Sequence, residues 1–119
     1  MAAVRFEELN TRTLAQGRFD LALVPLGSCE SHGDHLPFGM DALTAHNLSL
    51  AIGERLPRAV VLPPMWFGMS LHYRHQPMCI SLSSDTTTRV IRETLESLVH
   101  WGFRRIILVN GHDGNIPCL

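Results

Sequence analysis

Apolar residues along the chain form short continuous runs that alternate with longer stretches in which they recur at helical spacing. The runs Leu21–Leu26, Val60–Leu62 and Arg105–Val109 are the most continuous of them, a pattern that favours buried strands. The segment Ile80–Leu82, whose apolar residues flank Ser81, predicts an edge strand. We therefore expect three core strands and one strand at an edge.

Helices are predicted in the stretches beside these strands. A short helix is expected over Phe6–Gln16, and a longer one over Ala42–Leu56 is ended by Pro57, because proline cannot continue a helix. A third helix is expected over Thr86–Trp101, with Gly102 as its stop. The residues at helical spacing are Leu43, Leu48, Ala51 and Ile52 in the second helix and Val90, Ile91, Leu95, Leu98 and Val99 in the third.

Two local features complete this outline. Ser84 or Asp85 can cap the third helix by accepting its orphan amide hydrogens. The segment Pro63–Pro77 has prolines at both ends and carries two histidines, so it is interpreted as an ordered loop that crosses the mouth of a cleft.

Strands that alternate with helices predict an α/β fold, here a three-layer α/β/α arrangement with a mainly parallel sheet covered on both faces. Residues 1–119 are interpreted as a single domain. Ligands of such sheets collect beyond the carboxyl ends of the strands. Two polar loops, Gly27–Asp41 and Asn110–Asn115, follow predicted core strands at that end, so a site is expected where they meet.

Composition narrows the classes of function. The net charge is −1 and no run approaches the roughly five or six like charges that mark a tail, so neither nucleic acid nor membrane is expected as a partner. No stretch is apolar over the roughly 18 residues that a membrane span needs, and no signal peptide is recognised, so we expect a cytoplasmic protein. The three cysteines favour reduced thiols over a disulfide framework, and seven histidines point weakly to metal or acid–base chemistry.

The loop after the first strand concentrates metal-binding side chains. Glu30 and His32 are two residues apart, so in an extended segment their side chains leave on the same face and can reach one ion. Asp41 can return to the same point if Gly33 and Gly39 let the loop fold back. Asp41 also lies where the second helix begins, so its carboxylate can accept backbone amides while it binds metal.

The second polar loop supplies His112. Imidazoles and carboxylates together suit zinc, manganese or iron. Each residue alone has a simpler explanation: the pair Glu30 and His32 occurs by chance, Asp41 can be only a helix cap, and His112 can be a turn residue. The placement of both loops at strand ends favours the metal site over these alternatives.

These segments resemble the creatininase-type amidohydrolases over nearly the whole chain. Family members have a strand ending in Pro-Leu-Gly-Ser, then Glu-x-His-Gly-x-His-Leu-Pro, then Asp, which correspond here to Pro25–Ser28, Glu30–Pro37 and Asp41. The later matching segments are Pro63-Pro64, Phe67–Ser70, Cys79–Leu82 and Asn110–Asn115.

The resemblance implies two divalent metal ions, zinc, manganese or iron. Glu30 and His112 would hold one ion, His32 the other, and Asp41 would bridge both. Two such ions activate water and polarise a carbonyl, so the implied reaction is hydrolysis of a small cyclic amide, a formamide or a similar non-peptide C–N bond. An alternative is a peptide-trimming relative in cofactor biosynthesis.

Further roles follow from the same resemblance. Asp113 corresponds to a substrate-contacting residue beside the metal histidine, and His72 in the cleft-crossing segment is a second candidate for contact with a small-molecule amide substrate. Family members form ring-shaped homo-oligomers, with a hexamer as one option. Aromatic residues of the cleft-crossing segment, such as Trp66 and Tyr73, would line either an apolar pocket or a subunit contact.

Two departures from the family pattern limit what carries over. Gly114 stands where creatininase has a metal-binding glutamate. The chain also ends at Leu119, about halfway through the usual family length, so the domain is expected to be incomplete: a fragment, a split gene product or a truncated chain. The expected remainder includes a glutamate, a proton-transferring histidine and substrate-contacting aromatics. Residues 1–119 alone are therefore expected to be inactive, and a non-catalytic metal-binding half that needs a partner chain is a further alternative.

Overall fold

Three parallel strands form the central sheet of the computed structural model, which describes residues 2–119. The strand Leu21–Leu26 lies in the middle, between Ala59–Val61 and Arg105–Asn110, and Leu21 pairs with Ala59 on one side and with Arg105 on the other. The three core strands predicted from the sequence are thus confirmed. In chain order the elements are α1 (Thr11–Gly17), β1 (Leu21–Leu26), α2 (Met40–Gly53), β2 (Ala59–Val61), β3 (Gly68–Met69), β4 (Ser81–Leu82), α3 (Ser84–His100) and β5 (Arg105–Asn110).

The two faces of the sheet pack against different helices. On one face Ala22 and Val24 of β1 join the cluster that contains Ile91 and Leu98 of α3. On the other face Leu21 and Leu23 pack in a second cluster with residues of α2, among them Leu50 and Ile52. Successive side chains of a strand point to opposite faces, so β1 is buried on both sides. The predicted three-layer α/β/α arrangement is confirmed.

Helix α2 is present, but its apolar residues do not all face the sheet. Leu43 and Leu48, whose spacing helped to predict this helix, are exposed. The buried positions are instead occupied by small or polar residues: Asp41, Ala42, Ala45 and Ser49.

Small residues are required there because helix and loops meet backbone to backbone. A Cβ atom on Gly27 would lie 2.3 Å from Ala42 Cα, and one on Gly111 would lie 2.3 Å from the Asp41 carbonyl oxygen. Neither glycine can carry a side chain without moving α2. The start of α2 is therefore pressed against the carboxyl ends of β1 and β5.

The prediction of a single helix over Phe6–Gln16 is wrong, because this segment forms two separate elements. Phe6–Glu8 forms a 3₁₀ turn, and α1 starts only at Thr11. Asn10 causes the break. Its side-chain oxygen accepts hydrogen bonds from the backbone amides of Arg12 and Thr13, and its own backbone amide donates a hydrogen bond to the Thr13 hydroxyl. This capping box starts a new helix instead of continuing the first one.

The predicted loop Pro63–Pro77 contains more order than expected. It includes β3 and a 3₁₀ turn over Leu71–Tyr73. The predicted edge strand is observed as β4, but it pairs in parallel with β3 and not with the central sheet. A two-stranded ribbon thus lies beside the main sheet and brings Met69 and the following Ser70 toward its carboxyl end.

Helix α3 begins one residue earlier than the predicted caps allow. Ser83 is the N-cap, accepting the amide of Thr86 at 3.2 Å, so Ser84 and Asp85 lie inside the helix. Of its apolar residues, Ile91 and Leu98 are buried, whereas Val90 and Val99 are exposed. Within residues 2–119, none of the helices combines the length and the apolar character needed to cross a bilayer.

Candidate metal centre

Four predicted metal ligands lie together at the carboxyl end of the sheet. Glu30 comes from the loop after β1, Asp41 from the first turn of α2, and His112 from the turn after β5. Each of these three residues is 3% exposed. His32 is half-buried at the outer side of the group. Two separate loops and a helix start therefore converge as the sequence predicted.

Asp41 lies between the two imidazoles. Its Oδ1 atom is 3.2 Å from His32 Nε2, and its Oδ2 atom is 2.9 Å from His112 Nδ1. Glu30 Oε1 is 3.4 Å from His112 Nδ1 and 3.8 Å from His32 Nε2. Each carboxylate therefore faces both histidines, and Asp41 presents a different oxygen to each of them.

These close approaches do not amount to ordinary hydrogen bonding. Within residues 2–119, neither His32 Nε2 nor Asp41 Oδ2 has a hydrogen-bond partner, although both atoms are buried. Unpaired buried polar atoms are costly unless a further group satisfies them. Converging, unpaired nitrogen and oxygen atoms fit a divalent cation, and the donor set of imidazoles and carboxylates suits zinc or manganese.

The hydrogen bonding of His112 supports this fit. Its Nε2 atom lies 2.9 Å from the carbonyl oxygen of Met69. A carbonyl can only accept, so Nε2 carries the proton and Nδ1 of the neutral ring presents a lone pair to Asp41 and Glu30. Metal-bound histidines commonly donate their other ring nitrogen to a carbonyl in this way.

Two buried polar residues beside the group were not predicted as site residues. The Ser70 hydroxyl donates a hydrogen bond to Glu30 Oε2, and the Ser70 side chain is completely buried. The Asn115 side chain accepts a hydrogen bond from the Met69 amide at 3.0 Å and donates one to the carbonyl of Gly27 at 3.1 Å. Both residues lie in segments that match the family pattern, which was the only signal of their importance available from the sequence.

Burial dominates the electrostatics of Asp41. Removal from water raises the pKa of this carboxyl above its ordinary value. The imidazoles of His112 and His32 oppose that shift, and the neighbouring Glu30 carboxylate adds to it. Because burial disfavours the charged form of this carboxyl group, a nearby cation would stabilise that form strongly.

The two predicted substrate contacts lie at the outer edge of the group. His72, in the turn after Ser70, is exposed, and its ring is nearly parallel to that of His112 with centroids 6.0 Å apart. One ligand atom each of His72, Glu30 and His112 lies within 4.8 Å of the others. The side chain of Asp113 is 85% exposed, with Oδ1 3.8 Å from His112 Nδ1. Both residues border the group without being buried in it.

Gly114 fills a position with no room for a side chain. A Cβ atom there would lie 2.3 Å from the Met69 carbonyl oxygen and 2.4 Å from His112 Nε2. These are the two atoms whose hydrogen bond orients His112. Glycine at this position therefore protects the orientation of the ring.

The fold and the carboxylate–histidine group define an α/β/α protein with a candidate metal centre at the strand ends. The sequence profile of the creatininase family, described as creatinine amidohydrolase, matches residues 7–119. The chain belongs to the creatininase family.

Individual relatives agree with this assignment. The mycofactocin precursor peptide peptidase of Mycobacterium ulcerans (strain Agy99) is 31% identical, over 94% of this chain and 48% of its own. The creatinine amidohydrolase of Pseudomonas putida is 30% identical, over 78% of this chain and 37% of its own. The chain thus spans about half the length, or less, of the curated relatives it matches.

Solved structures match this chain over about half of their own length. A creatininase crystal structure superposes with a TM-score of 0.88 at 29% identity, covering 98% of this chain and 48% of that one. Other similar structures are described as a manganese creatininase and as a zinc–zinc form of a creatininase variant, each 29% identical, with TM-scores of 0.85 and 0.86.

Proposed function

We propose that this chain forms the metal-binding part of a metal-dependent amidohydrolase. The observation that carries the proposal is the position of Asp41, buried between His32 and His112 with one carboxylate oxygen toward each. A lone buried carboxylate would require a donor for each oxygen. Here both oxygens face ring nitrogens that are suited to share a cation with them.

The ligands divide between two ions. Glu30 and His112 would hold one ion, His32 the other, and Asp41 would contribute to both. When bound, such a pair supplies a hydroxide near neutral pH and polarises the carbonyl of an amide. The metals of similar solved creatininases, manganese and zinc, are the first candidates.

The remaining residues prepare the site for this chemistry. The Met69 carbonyl holds the proton of His112 on Nε2, so that Nδ1 stays free to bind. The burial of Glu30 and Asp41 keeps water away from the inner side of the group. His72 and Asp113, at the exposed side, are placed to contact a substrate that approaches from solvent.

We propose a small cyclic amide, a formamide or a similar non-peptide C–N bond as the substrate. The names of the relatives support a second candidate. Mycofactocin precursor peptide peptidases match at 31–34% identity, and the creatinine amidohydrolase matches at 30%. Cleavage at a peptide end is therefore the alternative activity.

The proposed enzyme is cytoplasmic and homo-oligomeric, a hexamer being one arrangement. Exposed aromatic side chains in the cleft-crossing segment support a subunit contact: Trp66, Phe67 and Tyr73 are each 39–43% exposed. The matched relatives are about twice as long as this chain. We therefore propose a complete catalytic centre only for residues 1–119 combined with a complementary half of the protein. A metal-binding half that acts with a partner chain is the corresponding alternative.

Elemental analysis of purified protein, combined with hydrolysis assays, tests the proposal. We expect up to two divalent ions per chain after dialysis. With the chain combined with its complementary half, hydrolysis of creatinine or an N-formyl compound would support the main proposal, and release of a terminal residue from a peptide would support the alternative. Either activity should disappear with a chelator and return with manganese or zinc. Protein that binds no divalent metal would contradict the proposal.

A further inference from the structure

We infer that Ser70 is a positioning residue that restricts Glu30 to a single metal-binding oxygen. This inference rests on the proposed metal centre and concerns the geometry in which one of its ions is held. It starts from the hydrogen bond that the Ser70 hydroxyl donates to Glu30 Oε2.

Glu30 has two chemically equivalent oxygens, and the structure gives them different surroundings. Oε1 faces the group, 3.4 Å from His112 Nδ1 and 3.8 Å from His32 Nε2. Oε2 accepts the Ser70 proton instead. A carboxylate can bind a cation through one oxygen or through both. Because the Ser70 hydrogen bond takes up one lone pair of Oε2 and fixes the orientation of the carboxylate, Oε1 is the oxygen that faces the ion.

Ser70 is itself held in place from several directions. It is completely buried, its amide donates to Ser81 Oγ at 2.7 Å, and its carbonyl accepts from the Cys79 thiol. The hydroxyl therefore has little freedom to turn away from Glu30. A donor fixed in this way can hold a carboxylate in one rotamer.

The residue before Ser70 acts on a second proposed ligand. The Met69 carbonyl accepts the His112 Nε2 proton, and the Met69 amide is bound by the buried Asn115. Two consecutive residues at the end of β3 thus orient Glu30 and His112, which reach the site from different loops. A shift of β3 would move both ligands together.

The consequence for the proposed ion is an open coordination shell. Glu30, Asp41 and His112 would each contribute one atom, a total of three protein ligands. Catalytic zinc sites characteristically have three protein ligands and keep a further position for water or substrate. If Glu30 bound the ion through both of its oxygens, the second oxygen would occupy that position. The Ser70 hydrogen bond thereby keeps the position open.

Ser70→Ala in the purified protein tests the inference, with affinity for zinc and manganese measured by chelator competition. We expect about 10- to 100-fold weaker binding of one ion, the range that loss of an outer-shell partner produces. Cobalt-substituted Ser70→Ala should also show weaker visible absorption, because a second bound oxygen raises the coordination number. A spectrum and an affinity equal to those of the parent protein would overturn the inference.

Two comparisons separate positioning from general destabilisation. Ser49→Ala is the matched control, because Ser49 is also completely buried and its hydroxyl donates one hydrogen bond, to the Ala45 carbonyl at 2.8 Å. It should leave the affinity and the cobalt spectrum unchanged. Ser70→Thr retains the hydroxyl and should restore both. If Ser49→Ala weakens binding as much as Ser70→Ala, the effect is structural and the inference is overturned.

The metal-binding proposal can fail separately. If the parent protein binds no divalent ion, the proposed function is wrong and Ser70 has no ion to act on. If the parent protein binds metal and Ser70→Ala binds it equally well, only the positioning role is wrong.

Discussion

Asp41 Oδ2 lies 2.9 Å from His112 Nδ1, at the point where the start of α2 meets the turn after β5. With Nε2 of His112 donating to a carbonyl, the nitrogen that faces Asp41 has no proton to offer in the neutral ring. Two unprotonated acceptors at this distance repel each other unless a proton or a metal ion lies between them. The relationship identifies the centre of the candidate site.

Asp41→Asn should abolish binding of both proposed ions while leaving the fold intact. The amide loses the charge and one metal-binding oxygen, so affinity should fall by more than about 100-fold, beyond the range of outer-shell changes. Burial raises the pKa of Asp41, so the folded state disfavours its charged form, and the metal-free variant should melt no lower than the metal-free parent at neutral pH. Elemental analysis and thermal melts in chelator measure the two effects.

Asp34→Asn serves as the control for that substitution. Asp34 lies in the same loop but is exposed, so its variant should retain the metal content of the parent protein. Undiminished metal in Asp41→Asn would contradict the bridging role.

Gly114→Ala should destabilise the protein and weaken metal binding together. The new methyl group would enter the space between the Met69 carbonyl and the His112 ring, at 2.3–2.4 Å from each. Overpacking of this kind costs about 1–3 kcal/mol. Urea denaturation gives the loss of stability, and chelator competition gives the loss of affinity. If Gly114→Ala had the stability and the metal affinity of the parent protein, the prediction would be wrong and the backbone would move easily at this position.

In the enzyme formed with the complementary half, His72→Ala should raise KM about tenfold, equivalent to about 1.4 kcal/mol of lost substrate contact, with the metal content unchanged. The expectation follows from the exposure of His72 beside the group. Its distance from Glu30 and His112 also permits a ligand role. Loss of an ion in this variant would therefore replace the substrate role with metal binding, and His75→Ala, one turn further along, is the control.

The Asp20 carboxylate should contribute more to the stability of the protein above the ordinary pKa range of aspartate than in acid. Arg105 and Arg58 both bind this carboxylate and hold its pKa below the ordinary value. A lowered folded pKa adds stability that is complete above the unfolded pKa and disappears as pH falls through the folded one.

Urea denaturation of Asp20→Asn across a pH series tests this assignment. The variant should be less stable than the parent at neutral pH, and its stability should decline less between about pH 5 and pH 2. Glu54→Gln, on an exposed residue, should follow the parent curve. An unchanged acid transition in Asp20→Asn would show that these ion pairs make no contribution.

The sequence predicted those parts of the fold and site that depend on local pattern. Leu21–Leu26 forms the predicted central strand because its continuous apolar run is buried on both faces. Glu30, His32, Asp41 and His112 meet because each follows a core strand or starts a helix at one end of the sheet. Parallel strands bring such positions together whatever lies between them in the chain.

Features that depend on tertiary contact could not be predicted in the same way. Strand β3 has only two residues and no apolar run, and it exists because β4 pairs with it. Leu43 and Leu48 are exposed because the neighbouring backbone admits only small residues beneath α2. Ser70 has no charged or metal-binding side chain, so its role becomes visible only when Glu30 is beside it.

The contacts of Gly27 with Ala42 and of Gly111 with Asp41 have a consequence for divergence within this family. They set the separation of three chain segments through main-chain atoms, so no change of rotamer can alter it. Residues around the entrance, such as His72 and Asp113, are free of that constraint. Substitutions in this outer wall can therefore be accommodated while the spacing of Glu30, Asp41 and His112 stays the same.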